Sequence, residues 1–408
     1  MADAWIIDGL RTPRGKGKPN GALHGVHPQE LLAQVLNGLA ERTGVDRTAV
    51  DDVIIGNGSH TGDHANDIAR WAVLTAGFPI NVSGVTLNRF CGSGQQSVMF
   101  AAMGIRSGWQ DLVVAGGVES MSRYDAAMKA PMGGANPRLR EAYPLVPQGI
   151  SADLIATREG FTRRDVDAFA VRSQERAANA IANGYFEKSL HMVVDHNGVV
   201  LLDHDEHPRP GTTLESLAAL LPSFAEMARQ ARDEHGRSYD DMCAAVYPEV
   251  DAINHVHHAG NSSGIVDGAS ALLLASSEVA AAYGLEPRAR VRSCAVLGDE
   301  PVIMLTAPGP ASLACLERVG MTVDDIDLWE INEAFAAVPL KVIRDLGLDE
   351  DKVNVNGGAI ALGHPIGATG PMLFQTLIDE LERRDLTTGM VTMCTGGGMA
   401  TATLIERI

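Results

Sequence analysis

The chain has 408 residues and a formal charge of −18, with 45% apolar residues, 43 glycines and 5% aromatics. That length exceeds one ordinary core, so two or more domains are expected, and the composition is that of a globular α/β protein rich in turns. The acidic balance excludes a nucleic-acid or anionic-membrane binder, because the phosphate term would be repulsive, and an anionic small substrate would need a locally basic patch. Five cysteines (91, 243, 294, 315 and 394) make an odd count without framework spacing, which points to a reducing compartment. The acidic N-terminus lacks a signal-peptide pattern, and the best apolar run, Ala271 to Ala275, is strand-sized. A soluble cytoplasmic protein without a transmembrane segment is expected.

In chain order, Ala4 to Asp8 reads as a buried strand. His27-Pro28 opens a helix with the stripe Leu31, Leu32, Val35, Leu36 and Leu39, closed near Gly44. Asp52 to Asn57 is a short strand, and a helix follows from about Ala65 to Ala76. An apolar run (Val82, Val85, Leu87) leads into Asn88-Arg-Phe-Cys91-Gly-Ser-Gly94, and a helical pattern (Val98, Ala101, Ala102, Ile105) leads out. Strand Leu112 to Ala115 ends in Gly116-Gly117. This alternation predicts a mostly parallel sheet covered by helices on both faces.

The pattern then repeats. Arg290 to Leu297 reads as a strand, Pro310 to Val319 as a helix, Asp327 to Ile331 as a strand and Glu333 to Leu346 as a helix. Val353 to Val355 reads as a strand, Pro371 to Arg383 as a helix, and Met390 to Cys394 as a strand closed by Gly396-Gly397-Gly398. In the second copy the chain passes directly into a last strand, Ala400 to Glu406. In the first copy the matching strand, Ala269 to Ala275, comes only after a long insertion. The expected domains are therefore 1–120 with 256–280, an inserted subdomain 121–255 on the substrate side, and 281–408. The insertion is rich in Met, Pro, Arg and His and contains a helical pattern from Arg164 to Ala182.

Cys91 sits on a tight strand-to-helix turn, where unpaired N–H groups and the helix dipole favour thiolate; a buried structural cysteine is the alternative. Gly363-His364-Pro365 and Cys394-Thr395-Gly396 are further glycine-bounded turns at corresponding strand ends. Ligands bind at the carboxyl ends of parallel strands, so a duplicated unit would gather these turns in one crevice. A cysteine with a histidine is the minimal activated-thiol arrangement, a second cysteine supplies a titratable acid or base, and Asn332-Glu333-Ala334-Phe335 would aim an amide into the crevice.

These blocks, with Asn354-Val-Asn-Gly-Gly-Ala-Ile-Ala-Leu-Gly-His364-Pro, Cys394-Thr-Gly-Gly-Gly-Met and Ala259-Gly-Asn-Ser-Ser263-Gly-Ile-Val-Asp-Gly-Ala, resemble the signature blocks of the thiolases across essentially the whole chain. Within that family the chain is most similar to degradative 3-ketoacyl-CoA thiolases, closest to the β subunits of actinobacterial fatty-acid-oxidation complexes. Val146-Pro-Gln-Gly-Ile-Ser-Ala-Asp-Leu-Ile-Ala-Thr and Ile253-Asn-His-Val-His carry that narrower likeness. The resemblance implies an α/β thiolase fold: two duplicated βαβαβαββ halves in αβαβα layers with an inserted loop subdomain.

It also implies roles. Cys91 attacks the 3-keto carbon and is acylated, and His364 takes the thiol proton. With a water held by Asn332, His364 stabilises the enolate oxygen. Cys394 protonates the departing acetyl-CoA carbanion, and the N–H groups of Cys91 and Gly396 form a second oxyanion hole. No metal and no tightly bound cofactor are required; coenzyme A is the co-substrate. By the family pattern Ser263 lies along the pantetheine, Ala334 and Phe335 border it, Gln148 faces the substrate and Arg209 lies near the nucleotide end. A solvated loop arginine is the plain alternative for Arg209.

The chain departs from the family where Pro147 precedes Gln148-Gly149 in place of a histidine, and in the long stretch 225–258. That stretch mixes charges (Arg229, Arg232, Asp233, Glu234, Arg237) with Phe224, Met227, Tyr239, Met242 and Tyr247. Either it docks a partner, such as a hydratase/dehydrogenase α subunit, or it is a self-packed flap. A metal site from His204, His207, His255, His257 and His258 is the minor alternative. A homodimer or dimer of dimers is expected. An acetoacetyl-CoA thiolase run towards condensation, a non-catalytic acyl or sterol carrier and a ketoacyl synthase are the competing functions. The presence of Cys91, His364, Asn332 and Cys394 argues against the carrier, and Cys394 argues against the synthase.

Overall fold

The structure is a computed structural model that describes residues 3–124, 134, 136–230, 233 and 235–408. Its strands are β1 (Ala4–Arg11), β2 (Gly15–Lys16), β3 (Asp52–Gly56), β4 (Val85–Leu87), β5 (Leu112–Ser120), β6 (Val193–Val194), β7 (Val200–Leu202), β8 (Val266–Ser276), β9 (Ala289–Gly298), β10 (Leu328–Ile331), β11 (Thr388–Thr395) and β12 (Met399–Arg407). The main sheet runs β10-β11-β12-β9-β1-β8-β5-β3-β4, with β2 beside β8.

The duplication is written in the pairing. β3 and β5 are parallel, β5 and β8 antiparallel, and β8 and β1 antiparallel. The second copy repeats this with β10 and β11 parallel, then β11–β12 and β12–β9 antiparallel. The expected mostly parallel sheet is therefore corrected to a mixed one, because each copy folds back on itself after its parallel pair, β3 and β5 in the first and β10 and β11 in the second. In the second copy that return is a hairpin from Thr395 to Met399. In the first, the facing pair Ser120 and Asp267 leaves the whole insertion between them.

The strand expected at Val353–Val355 is absent. Val353 makes one parallel bridge to Trp329, and Asn354 then adopts a left-handed backbone (φ 46°) that ends any ladder. Its side chain replaces the missing strand partner, accepting from Ile331 N and donating to Ile331 O, both at 2.8 Å.

Three cores separate five layers. Helices Pro28–Thr43 and Ile68–Thr75 cover one face of the first half, while Pro308–Glu317 and Ala337–Leu346 cover the outer face of the second. Helices Ser93–Ser107 and Thr369–Arg384 form the middle layer and are buried along most of their length. Their N-termini meet so closely that a Cβ on Gly94 would overlap the carbonyl of Gly367. The ends that carry Cys91 and the His364 turn are thereby held against each other.

The insertion packs on the second half through helices Gln148–Glu159, Arg163–Ala182 and Tyr239–Val246. The apolar anchors expected on a docking surface mostly turn inward. Met242 is buried, Phe224, Tyr239 and Tyr247 pack on the core, and Tyr247 donates to Glu300 at 2.5 Å; Met227 alone is exposed. Arg237 is tied to Asp233 within the stretch, and Arg232 and Glu234 lie outside the described residues. Four of the five apolar anchors are thus taken up by packing within the chain. No helix among the described residues is long and apolar enough to cross a membrane.

Candidate active site

The Cys91 turn is fixed by its own side chains. Phe90 N donates to Asn88 Oδ1 (2.7 Å), Asn88 Nδ2 reaches Gly58 O (3.0 Å), and Ser93 Oγ accepts from Arg89 N while donating to Phe90 O. Phe90 is thereby held at φ 49°, a conformation unusual for a bulky residue, with its ring half exposed. Gly92 caps the following helix, so Cys91 lies just outside its first turn.

Cys91 opens onto a cavity of about 800 Å³, whose walls also include Gln148, Arg209, Ser263, Ala334, Phe335 and His364. Seven of the ten residues singled out from the sequence thus share one cavity. The other three adjoin it. Gly396 N hydrogen-bonds the Cys91 sulfur, as does the Gln148 side chain. Cys394 is fully buried and close enough to Cys91 for their charges to interact, and Asn332 Nδ2 lies 3.4 Å from His364 Nε2.

The electrostatics differ from the sequence expectation. Burial pushes the Cys91 thiol up to about 11, against the pull of Gln148, Gly396 N and its own N–H. Desolvation outweighs the dipole that favours thiolate, so the resting group is a thiol. Burial, then the proximity of Cys91, raises Cys394 further. His364 is driven down to about 4 by burial and by Arg14, and is neutral. The site therefore rests uncharged at its reacting groups, as a base ready to receive a proton requires.

Backbone pairing aligns the walls. Ser263 N donates to Ala334 O (2.9 Å), Ala336 N to Asn261 O (3.1 Å) and His364 N to Gly264 O (2.9 Å). The helix expected from Glu333 starts only at Ala337, because Ser262 bridges Phe335 and keeps the preceding residues extended along the cavity. Phe335 is wedged edge-on between the rings of Phe224 and His257. At the mouth, Lys16, Lys18 and Arg209 line the wall, and none of them forms an ion pair among the described residues. Glu206 lines the same wall, so the three cations leave an excess of positive charge there.

The histidines considered for a metal have other partners. His255 and His257 each place Nδ1 2.7 Å from Asp153, His258 Nε2 is 2.8 Å from Asp167, and His204 sits on Asp203 at the surface. His207 packs in the cavity wall, and no metal-holding group of three or more His, Cys, Asp or Glu occurs among the described residues.

Sequence reasoning missed Lys16, Lys18 and Thr369, and also Glu119. Glu119 escaped because Gly116-Gly117 reads as a strand end. Both glycines are inside β5, where a Cβ on Gly117 would overlap the carbonyl of Gly367, and the strand runs on to Ser120.

Known proteins bear on this geometry. Residues 4–228 match the family model "Thiolase, N-terminal domain" and residues 285–407 match "Thiolase, C-terminal domain". A beta-ketoadipyl-CoA thiolase of Escherichia coli is 41% identical over 430 residues, covering the whole of both chains. A steroid 3-ketoacyl-CoA thiolase of Mycobacterium tuberculosis is 41% identical over 419 residues, covering all of this chain and 95% of the relative. The crystal structure of the Bacillus anthracis acetyl-CoA acetyltransferase superposes with a TM-score of 0.85 at 38% identity, over 100% of this chain and 99% of that one. The cysteine turn, the histidine turn and the doubled sheet that joins them thus belong to a chain of the thiolase family.

Proposed function

We propose that the protein is a degradative 3-ketoacyl-CoA thiolase that cleaves 3-ketoacyl-CoA with CoA to acetyl-CoA and a shortened acyl-CoA. The observation that carries this reading is the placement of Cys91 and His364 in the wall of one cavity with a cationic mouth, with Asn332 beside His364 and Cys394 beside Cys91. Neutral His364 accepts the thiol proton as Cys91 attacks the keto carbon. The resulting oxyanion is held by the N–H groups of Gly396 and Cys91, both already directed at the sulfur. The Cα–Cβ bond breaks, and Cys394 gives its proton to the acetyl-CoA carbanion. Its raised pKa makes it a reluctant acid towards water but a competent donor to a carbanion. Protonated His364, with a water held by Asn332, stabilises the enolate oxygen. Incoming CoA, deprotonated by Cys394, attacks the thioester; the bond from the acyl carbon to Cys91 breaks, and His364 returns its proton to the Cys91 sulfur. Lys16, Lys18 and Arg209 hold the phosphates of CoA, with the pantetheine along Ser263, Ala334 and Phe335.

The same reading divides the chain into 1–120 with 256–280, 121–255 and 281–408, and supposes a cytoplasmic enzyme of fatty-acid β-oxidation. It supposes a homodimer formed along the β4 edge, where Val85 and, just after the strand, Phe90 are exposed. A hydratase/dehydrogenase partner, if bound, would use a surface other than the inward-turned anchors of 225–258. The Bacillus anthracis neighbour favours a second direction, condensation of acetyl-CoA. Thiolysis of 3-ketoacyl-CoA substrates of graded chain length, run beside acetyl-CoA condensation, tests both. Thiolysis of at least one 3-ketoacyl-CoA faster than acetyl-CoA condensation is expected, and absence of thiolysis at every length would overturn the reading.

A further inference from the structure

Glu119 is a buried carboxylate that bonds Gly367, beside the His364 turn, and Gly58, which Asn88 ties to the Cys91 turn, and the mechanism above does not use it. Its side chain is fully buried at the end of β5. Oε2 accepts from Gly58 N at 2.7 Å and from Gly367 N at 2.8 Å, and Asn57 Nδ2 lies 3.4 Å from Oε1. Ser59 N and the Tyr124 hydroxyl also donate to it. No cation forms an ion pair with it among the described residues. Gly58 is tied to the cysteine turn through Asn88, and Gly367 lies between His364 and Thr369.

We propose that Glu119 is a positioning residue: one buried carboxylate oxygen, shared by the amides of Gly58 and Gly367, sets the His364 turn against the Cys91 turn. A carboxylate is the only side chain of this length that offers acceptors to every donor arrayed here, with no proton of its own in the way. Its charge has a second effect on the site. It faces Cys91 from one side, where it opposes thiolate formation, and Tyr124 from the other, with His64 against the Tyr124 ring and Asp267 beyond. Burial pushes Glu119 itself up to about 7 against the pull of Tyr124, Gly58, Gly367 and Ser59, so the carboxylate predominates only above neutral pH.

The two effects separate in experiment. Glu119→Gln keeps the size but turns an NH2 group towards N–H donors. A single acceptor oxygen then serves donors that two oxygens now share, so part of the array is lost, and so is the charge opposing the Cys91 thiolate. Thiolysis, which rests on the proposed function, should fall about 10- to 100-fold with the KM for CoA little changed. Alkylation of Cys91 by iodoacetamide at pH 8, mapped by mass, should become about threefold faster or more. Glu119→Asp keeps the charge but not the reach, so its turnover should fall while alkylation stays at the wild-type rate. Scaffolding alone would lower turnover and melting temperature without accelerating alkylation, and that outcome overturns the proposal. Wild-type turnover in either variant also overturns it. Alkylation is read without turnover, so a wild-type enzyme that fails to thiolyse would count against the proposed function and leave this test intact.

Discussion

The hydroxyl of Thr369 decides which nitrogen of His364 faces the substrate. His364 Nδ1 lies 2.6 Å from Thr369 Oγ1, which gives its single proton to Pro365 O at 2.9 Å. The hydroxyl can only accept from the ring, so Nδ1 carries the hydrogen and Nε2 presents its lone pair beside Asn332 Nδ2. Thr369→Val keeps the shape and frees the tautomer. Its kcat should drop about tenfold or more with KM nearly unchanged, as expected when a transition-state arrangement is lost. Wild-type kcat in that variant would show that the hydroxyl does not set the tautomer.

The cationic mouth makes a separable prediction about CoA. Arg209→Ala, alone or with Lys16→Ala and Lys18→Ala, should raise the KM for CoA about threefold to tenfold and leave kcat alone, consistent with one to a few charge-assisted hydrogen bonds. The penalty should shrink at high salt and with 3′-dephospho-CoA if the lost contact is to the 3′-phosphate. An unchanged KM in the triple variant would return these residues to the solvated surface.

Asp153 carries the flap. It accepts from the rings of His255 and His257 and from the backbone N–H groups of Val256 and His257 (3.0 and 2.9 Å), all buried. Asp153→Ala would leave four donors without their acceptor, a loss on the order of 3–5 kcal/mol. Urea unfolding should show the loss, together with easier proteolysis of 225–252. A stability change below about 1 kcal/mol would mean that the apolar packing alone holds the flap.

Acid should weaken the fold in a traceable way. Burial lowers His64, His207 and His364 to about 4. Their folded pKa values lie below the unfolded value, so the unfolded chain binds more protons between about pH 6.5 and 4, and stability falls as pH drops through that window. His64 Nε2 accepts from Ser120 N at 2.9 Å, which requires the neutral ring. His64→Gln retains an acceptor without the titration. It should remove on the order of 3 kcal/mol of the acid loss by pH 4, seen as a flatter dependence of the urea midpoint on pH. An unchanged slope would place the acid sensitivity elsewhere.

Most of the sheet was legible because its signals are local. The stripe of Leu31, Leu32, Val35, Leu36 and Leu39 falls on one buried helix face closed by Gly44, and the repeat of β3 and β5 in β10 and β11 follows from matched sequence blocks. What the sequence hid was set by tertiary contact. Strand direction depends on how each copy folds back, and Asn354 ends a strand because its amide takes over the ladder of Ile331. The four principal site residues stood out through their glycine-bounded turns. Glu119, Thr369 and the lysines of β2 and its turn did not, because their importance lies in what they meet across the fold. The Cys91 charge was misjudged for the same reason: dipole and N–H groups are visible in a sequence, whereas burial of the thiol is not.

The central claim is that Cys91 carries the acyl group and Cys394 moves the proton. It is tested most directly by intact-protein mass after mixing the Cys394→Ala variant with acetyl-CoA, followed by peptide mapping. The account predicts a stable acetyl group on Cys91, absent from the Cys91→Ala variant, with steady-state thiolysis about 10²- to 10⁴-fold below wild type. An acetyl group on another cysteine, or near-normal turnover without Cys394, would contradict it.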